Sequence, residues 1–350
     1  IGYEAGLNNT GYNSVEDDGS FNVYMGYQAG YTGTTLQRNV FIGYRAGYNS
    51  EPGGVWWYGS LNVFLGNEAG LSNTTGGQNV AVGNEALKGN TTGHWNIAIG
   101  KQAFVGPNIG DYNIALGKLS LQNNTSGSYN TAIGNYALYQ NTTGNLNISI
   151  GGGLGSNSEG NYNIGIGAAA GRSVSTTSGT VAIGNRAIWD AEGAQNTAIG
   201  DSVLYNLRNG SNNTSVGSKT SVNNVFGTYN NSTAIGNEAL ITASDQIVLG
   251  NSDITSLVCY GAYNATTTSE PNLYVNSSGQ IMRSTATSSG ESTTASNGLT
   301  LSGNDVRLGG TLTGNTTVSN SGNSLTFTQN TNSVHTAIFN HTSSPASFSK

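Results

Sequence analysis

Asn96-Ile97-Ala98-Ile99-Gly100 is the stretch whose reading decides the fold. It returns as Asn130-Thr131-Ala132-Ile133-Gly134 and as Asn196-Thr197-Ala198-Ile199-Gly200. Marking the glycine that closes each such stretch gives Gly2, Gly26, Gly43, Gly66, Gly83, Gly100, Gly117, Gly134, Gly151, Gly167, Gly184, Gly200, Gly217, Gly236 and Gly250. Most gaps between marks are 16 or 17 residues, the exceptions being 2→26, 43→66, 217→236 and 236→250. A steady period of this length is the signature of a repeat array, in which each unit is too small to bury a core alone.

Within the unit, the residue three before the glycine is β-branched in every complete copy, and the one just before it is large and apolar. Two residues apart on a strand, they share a face. Between them stands a small residue, such as Ala81, Ala98, Ala115 or Ser149, pointing the other way. The pattern predicts a strand packed closely on both faces. Four before the glycine is Asn in eleven of fourteen complete units, including Asn79, Asn96, Asn113, Asn130 and Asn147. Stacked rungs would align these amides into a hydrogen-bonded ladder. After the glycine comes x-x-Ala and then Leu or Gly, read as a corner or second short strand with the small residue inward. Asn73-Thr74-Thr75-Gly76, Asn90-Thr91-Thr92-Gly93 and Asn141-Thr142-Thr143-Gly144 are turns, since Asn tolerates left-handed backbone and Gly supplies positive φ. Each rung is thus expected to run strand, corner, strand, loop.

The fold predicted is all-β: a parallel β-solenoid or β-roll of about 15 rungs over residues 1–250, on a repeat of about 17 residues. At about 4.8 Å per rung it would extend roughly 70 Å. So narrow a coil cannot bury much by itself and would leave its outward small residues to water, and lateral association of several chains would answer both. After Gly250 the period stops. Residues 251–283 read as a transition β segment, with Asn272-Leu273-Tyr274-Val275 and Ile281-Met282 as strands. Residues 284–296 are almost wholly Ser, Thr, Ala, Gly and Glu, a linker composition. Alternation returns at Leu299/Leu301, Val306/Leu308 and Leu325/Phe327, so 297–350 read as a shaft-like β segment. The chain opens on Ile1-Gly2, the end of a repeat strand, so upstream sequence is expected.

Bulk composition narrows the function classes. The chain carries 52 glycines but only four prolines and no Gly-X-Y period, which excludes collagen. A net charge of −6 argues against nucleic acid as a partner. No apolar run approaches the roughly 18 residues of a membrane helix, so no membrane insertion is expected. Cys259 stands alone, which leaves no disulfide framework or thiolate metal site within one chain.

The unit N-x-A-I-G-x-x-A-L resembles the head-domain repeat of trimeric autotransporter adhesins, although that repeat is a few residues shorter. The form with the Asn-Thr-Thr-Gly spacer is similar to repeats in bacteriophage tail fibres. The resemblance implies a parallel β-roll assembled as a homotrimer. On that basis the chain is expected to be a non-enzymatic virion protein: part of a tail fibre that attaches to a host glycan or protein receptor and joins other virion proteins. The alternatives are a bacterial cell-surface adhesin and a glycan-cleaving fibre.

No constellation points to catalysis, a metal or a cofactor. His94 lies in a loop beside Trp95 and reads as exposed; His335 and His341 sit six apart near the end; Glu16-Asp17-Asp18 reads as a solvated acidic loop. The Asn-x-Ser/Thr triplets at Asn73, Asn90 and Asn141 coincide with the turns. The candidate ligand site is Trp56-Trp57-Tyr58, in the insertion between Gly43 and Gly66 that is six residues longer than the usual gap. Three aromatics leaving a rod are costly to expose, so they either pack on a neighbouring chain or bind a sugar through its C–H face. Tyr24, Tyr27, Tyr44 and Tyr48 add aromatic surface at the same end.

Overall fold

The computed structural model describes residues 1–9, 21–51, 59–172, 174–189, 192–205, 207–222 and 228–256, and the backbone of four later strands. It divides into two units, Ile1–Leu257 and Val258–Lys350.

The first unit is a parallel β-solenoid. Fourteen three-residue strands, from Val23–Met25 to Ile247–Leu249, stack in chain order into one sheet, every pair parallel. Register follows the repeat: Ile97 pairs Ile114, Ala98 pairs Ala115 and Ile99 pairs Leu116. About a dozen turns of about 17 residues make up the array, somewhat fewer than the fifteen marks suggested. The first mark, Ile1-Gly2, supplies only the end of a strand, its Ile1 carbonyl accepting from the Gly26 N–H at 2.8 Å.

The stretch after each glycine was read as a corner or a second short strand; it is a corner in most rungs, and among the described residues strands occur there only at Ser221–Val222 and Leu240–Ile241. Elsewhere this stretch is turn, because the second and fourth residues past the glycine have left-handed backbone: Glu85 (φ 56°) and Leu87 (φ 55°), then Gln102 (φ 54°) and Phe104 (φ 54°). Backbone there cannot extend. The residue five before the glycine is left-handed too, as at Trp95 (φ 54°) and Tyr112 (φ 57°). Each such conformation costs a non-glycine residue about 1–2 kcal/mol. Stacking offsets it, because the corner amides still bond the neighbouring rung: Leu87 N–H to Ala103 O at 2.9 Å, Phe104 N–H to Ser120 O at 2.8 Å.

The assignment of faces is also corrected. Both faces of the strand were expected to be packed, with small residues outward. In fact the small residue points inward: Ala81, Ala98, Ala115, Ala132, Ala182 and Ala198 are fully buried. The large apolar residues point outward. Coil width is the reason, since the interior already holds two columns of asparagine amides and a corner side chain, leaving room for a methyl group.

The interior keeps its volume by exchange between two positions. Where the middle of the strand is aromatic, as at Phe41 and Phe64, the fourth residue past the glycine is Gly47 or Gly70. A Cβ at Gly70 would lie 2.5 Å from Phe64 Cε2, and one at Gly47 would lie 2.6 Å from Phe41 Cε2. Where the middle is Ala81, Ala98 or Ala115, that corner residue is Leu87, Phe104 or Leu121, each buried. Phe41 and Phe64 stack at 5.0 Å, and Tyr24 stacks on Phe41 at 5.5 Å. Tyr24 therefore belongs to the core, not to the aromatic surface expected for it. Phe64→Ala is expected to cost about 3–5 kcal/mol, and Gly70→Leu alone to collide with the ring. The double variant Phe64→Ala/Gly70→Leu should recover most of that loss, which a double-mutant cycle of denaturation free energies will check. Strict additivity would refute the exchange.

In the second unit Leu273–Val275 pairs antiparallel with Ile281–Arg283, and Leu299–Ser302 with Asp305–Leu308. These fall on the segments read as strands.

Candidate functional site

The predicted amide ladder is present and buried. Asn79, Asn96, Asn113, Asn130 and Asn147 are fully inaccessible. Each side-chain oxygen accepts from the backbone N–H of the Asn in the next rung: Asn79 Oδ1 from Asn96, Asn96 Oδ1 from Asn113, and Asn113 Oδ1 from Asn130, at 2.8, 2.9 and 2.9 Å. Each side-chain NH2 donates to a turn glycine, Asn79 to Gly93 O and Asn113 to Gly127 O. A buried amide thus finds partners for both ends.

A second ladder went unrecognised in the sequence. Asn73, Asn90 and Asn141, read as turn residues, and with them Asn108, Asn124 and Asn157, are fully buried, and from Asn90 onward each NH2 donates to the preceding Asn oxygen at 2.7–3.2 Å. The turn glycine carbonyl ties both columns together: Gly127 O accepts from Asn113 and from Asn124, each at 2.9 Å. The signal was present as Asn three before Gly (two at Asn108-Ile109-Gly110) at the repeat period. Burial closes Asn73, Asn90 and Asn141 to glycosylation in the folded chain. In the next rung the position is Val174, and the ladder's last oxygen, on Asn157, has no hydrogen-bond partner.

A third column runs along the loop edge. Backbone N–H groups donate to short side-chain acceptors one rung on: His94 to Asp111 Oδ1 at 2.7 Å, Asp111 to Ser128 Oγ at 3.0 Å, Ser128 to Asn145 Oδ1 at 2.9 Å. His94 belongs to it, so the reading of an exposed loop residue is corrected. Its Nδ1 accepts from Gly77 N–H at 2.9 Å, and burial pushes the imidazole below its ordinary value, opposed by Asp111. An accepting Nδ1 is unprotonated, so the geometry and the shift agree.

Among the described residues, the outward face of the sheet carries long rows of exposed apolar side chains. Two columns run its length: the strand's third residues, all apolar, and its first residues, aliphatic except Thr131, Thr197, Thr214 and Thr233. Ile99 is 41% exposed, Ile133 36%, Ile150 38% and Ile235 46%. Over the middle rungs a third column joins them: Trp95, Tyr112, Tyr129, Leu146 and Tyr162, all exposed. Trp95 stacks on Tyr112 at 4.7 Å and Tyr112 on Tyr129 at 4.8 Å, within 9° of parallel. Rings stacked so tightly cover one another's faces and present edges, which suits packing against a surface better than a sugar ring. Fourteen strands at about 4.8 Å and two columns across, widened over the middle rungs by the third, make a ribbon about 60 Å long and on the order of 600 Å². Monomeric proteins seldom leave so large an apolar patch to water.

A shorter aromatic surface marks the first rungs, with Tyr3, Tyr27 and Tyr44 stacked at 5.4 Å and Tyr31 on Tyr48 at 5.0 Å. Trp56, Trp57 and Tyr58 lie outside the described residues, as do Glu16, Asp17, Asp18, Cys259, His335 and His341. Among the described residues no group of three or more His, Cys, Asp or Glu side chains could hold a metal ion. No helix among them is long and apolar enough to cross a membrane. Comparison of the chain with family models, with curated proteins and with solved structures returned no match.

Proposed function

We propose that this chain is a non-enzymatic fibre segment, a homotrimer whose three outward ribbons pack together about the long axis. Its role on this reading is structural and adhesive, in a bacteriophage tail fibre that carries host-surface contact on loops projecting from the rod. One observation carries the proposal: among the described residues, exposed apolar side chains form a ribbon parallel to the stacking direction. Its area is of the same order as the roughly 800 Å² per partner of a stable interface.

The edges of the ribbon support copies that run parallel and in register. One edge carries Arg38, Trp95 and Tyr112; the other carries Tyr44, Lys101 and Lys118 in the same respective rungs, all exposed. Around a common axis each edge faces the opposite edge of the next copy, which sets cation against aromatic ring at all three levels.

Light scattering at micromolar concentration should give three times the 36.0 kDa chain mass. A monomeric mass would overturn the assembly and with it the fibre reading.

A further inference from the structure

We propose that Arg172, Arg186 and Trp189 form a binding site for an acidic saccharide, its carboxylate or phosphate held between the two guanidinium groups. Arg172 lies 4.4 Å and Arg186 5.5 Å from the centre of the Trp189 ring. The two cations share one indole. Tyr205, from the following rung, stacks on the same ring at 5.8 Å and 19°. Both arginines are exposed.

Two like charges on one ring repel, and packing alone would be served by a single arginine. No carboxylate among the described residues lies within ion-pair distance of either. Asp201 acts on Arg186 only from farther off, and its oxygens already accept from Asn185 Nδ2 at 2.8 Å and Ser202 Oγ at 3.0 Å. Lys88 pairs with Glu68 and Glu85, Lys219 with Glu238, and Arg45 Nε donates to Gln28. In a chain of net charge −6, two guanidiniums on one ring, with Asp201 acting on Arg186 only from farther off, concentrate positive charge locally.

The chemistry follows from the geometry. A guanidinium presents donors in a planar fork that matches a carboxylate or phosphate. Stacking on Trp189 immobilises both forks before a ligand arrives, which lowers the entropic cost of binding. The edges of Trp189 and Tyr205 offer apolar contact to the C–H groups of the sugar that carries the anion. These residues sit two to five positions past the strand glycine, beyond the ribbon, so the site stays open in the assembly proposed above and does not depend on it.

Titration calorimetry of the full chain with an oligogalacturonate, a neutral oligosaccharide of equal length and inorganic phosphate tests this. The acidic oligosaccharide should bind, the neutral one should not, and inorganic phosphate should bind more weakly. Arg172→Gln/Arg186→Gln should weaken the acidic ligand by about 30-fold or more while leaving the melting temperature and mass unchanged. Equal binding by the double variant, or by acidic and neutral ligands, overturns the site. Phosphate binding as tightly as the acidic oligosaccharide overturns the saccharide assignment.

Discussion

Gly117→Ala is expected to destroy the continuous array, while Gly152→Ala leaves it intact. Gly117 closes a strand at φ 136°, a region open to glycine and strained for any L side chain. A Cβ there would lie 2.4 Å from the carbonyl oxygen of Gly134 and 2.6 Å from its carbon. Those atoms are backbone of the next rung, locked by Gly134 N–H bonding Leu116 O at 2.7 Å, so they cannot turn aside as a side chain would. Relief requires the rungs to part. Strain alone is of order 1–3 kcal/mol, and the broken contact between rungs adds to it. In a stack where each repeat touches only its neighbours, one failed interface separates two shorter arrays. Gly152 has nothing within 4 Å of the same imagined atom. The paired comparison separates the glycine column from mere intolerance to mutation. Thermal unfolding of both variants measures it, and two melting temperatures within a few degrees of the unaltered chain would refute the explanation.

The period, the parallel stacking and the first amide ladder were legible because each rests on one residue repeated at one spacing. Face assignment was not. A β-branched, small, large triplet alternates identically whichever side is inside, and the choice depends on how much room the coil has. That room is set by the corner side chains and by a second amide column. A single Asn73-Thr74-Thr75-Gly76 segment is a turn by local chemistry; burial of its Asn arises only when Asn90 stacks on it. Corner conformation left no trace either, because left-handed φ falls on Leu87, Phe104, Trp95 and Tyr112, residue types that avoid it in isolation. Stacking overrides propensity there. The arginine–tryptophan cluster was equally hidden, since Arg172 and Trp189 are 17 residues apart and meet only through the repeat.

Replacing Ile133 and Ile150 together by glutamate is expected to abolish assembly without unfolding the rung. Both side chains point outward, 36% and 38% exposed in the single chain. Their neighbours inside, Ala132 and Ser149, are untouched, so the monomer loses no core contact. Substitutions at exposed positions usually cost within about 0.5 kcal/mol. The same side chains at the centre of a three-chain interface would bring six carboxylates to one axis. Each would lose its water without a partner, a penalty of several kcal/mol per ion. The expected outcome is a mass falling from three chains to one, with the far-ultraviolet dichroism of the rod retained. A matched pair on the loop side, Thr92→Glu/Ser126→Glu, adds equal charge at exposed positions away from the ribbon and should leave the mass at three chains. If the ribbon variant stays trimeric, the contact lies elsewhere. If both pairs dissociate the assembly, net charge rather than the ribbon governs it.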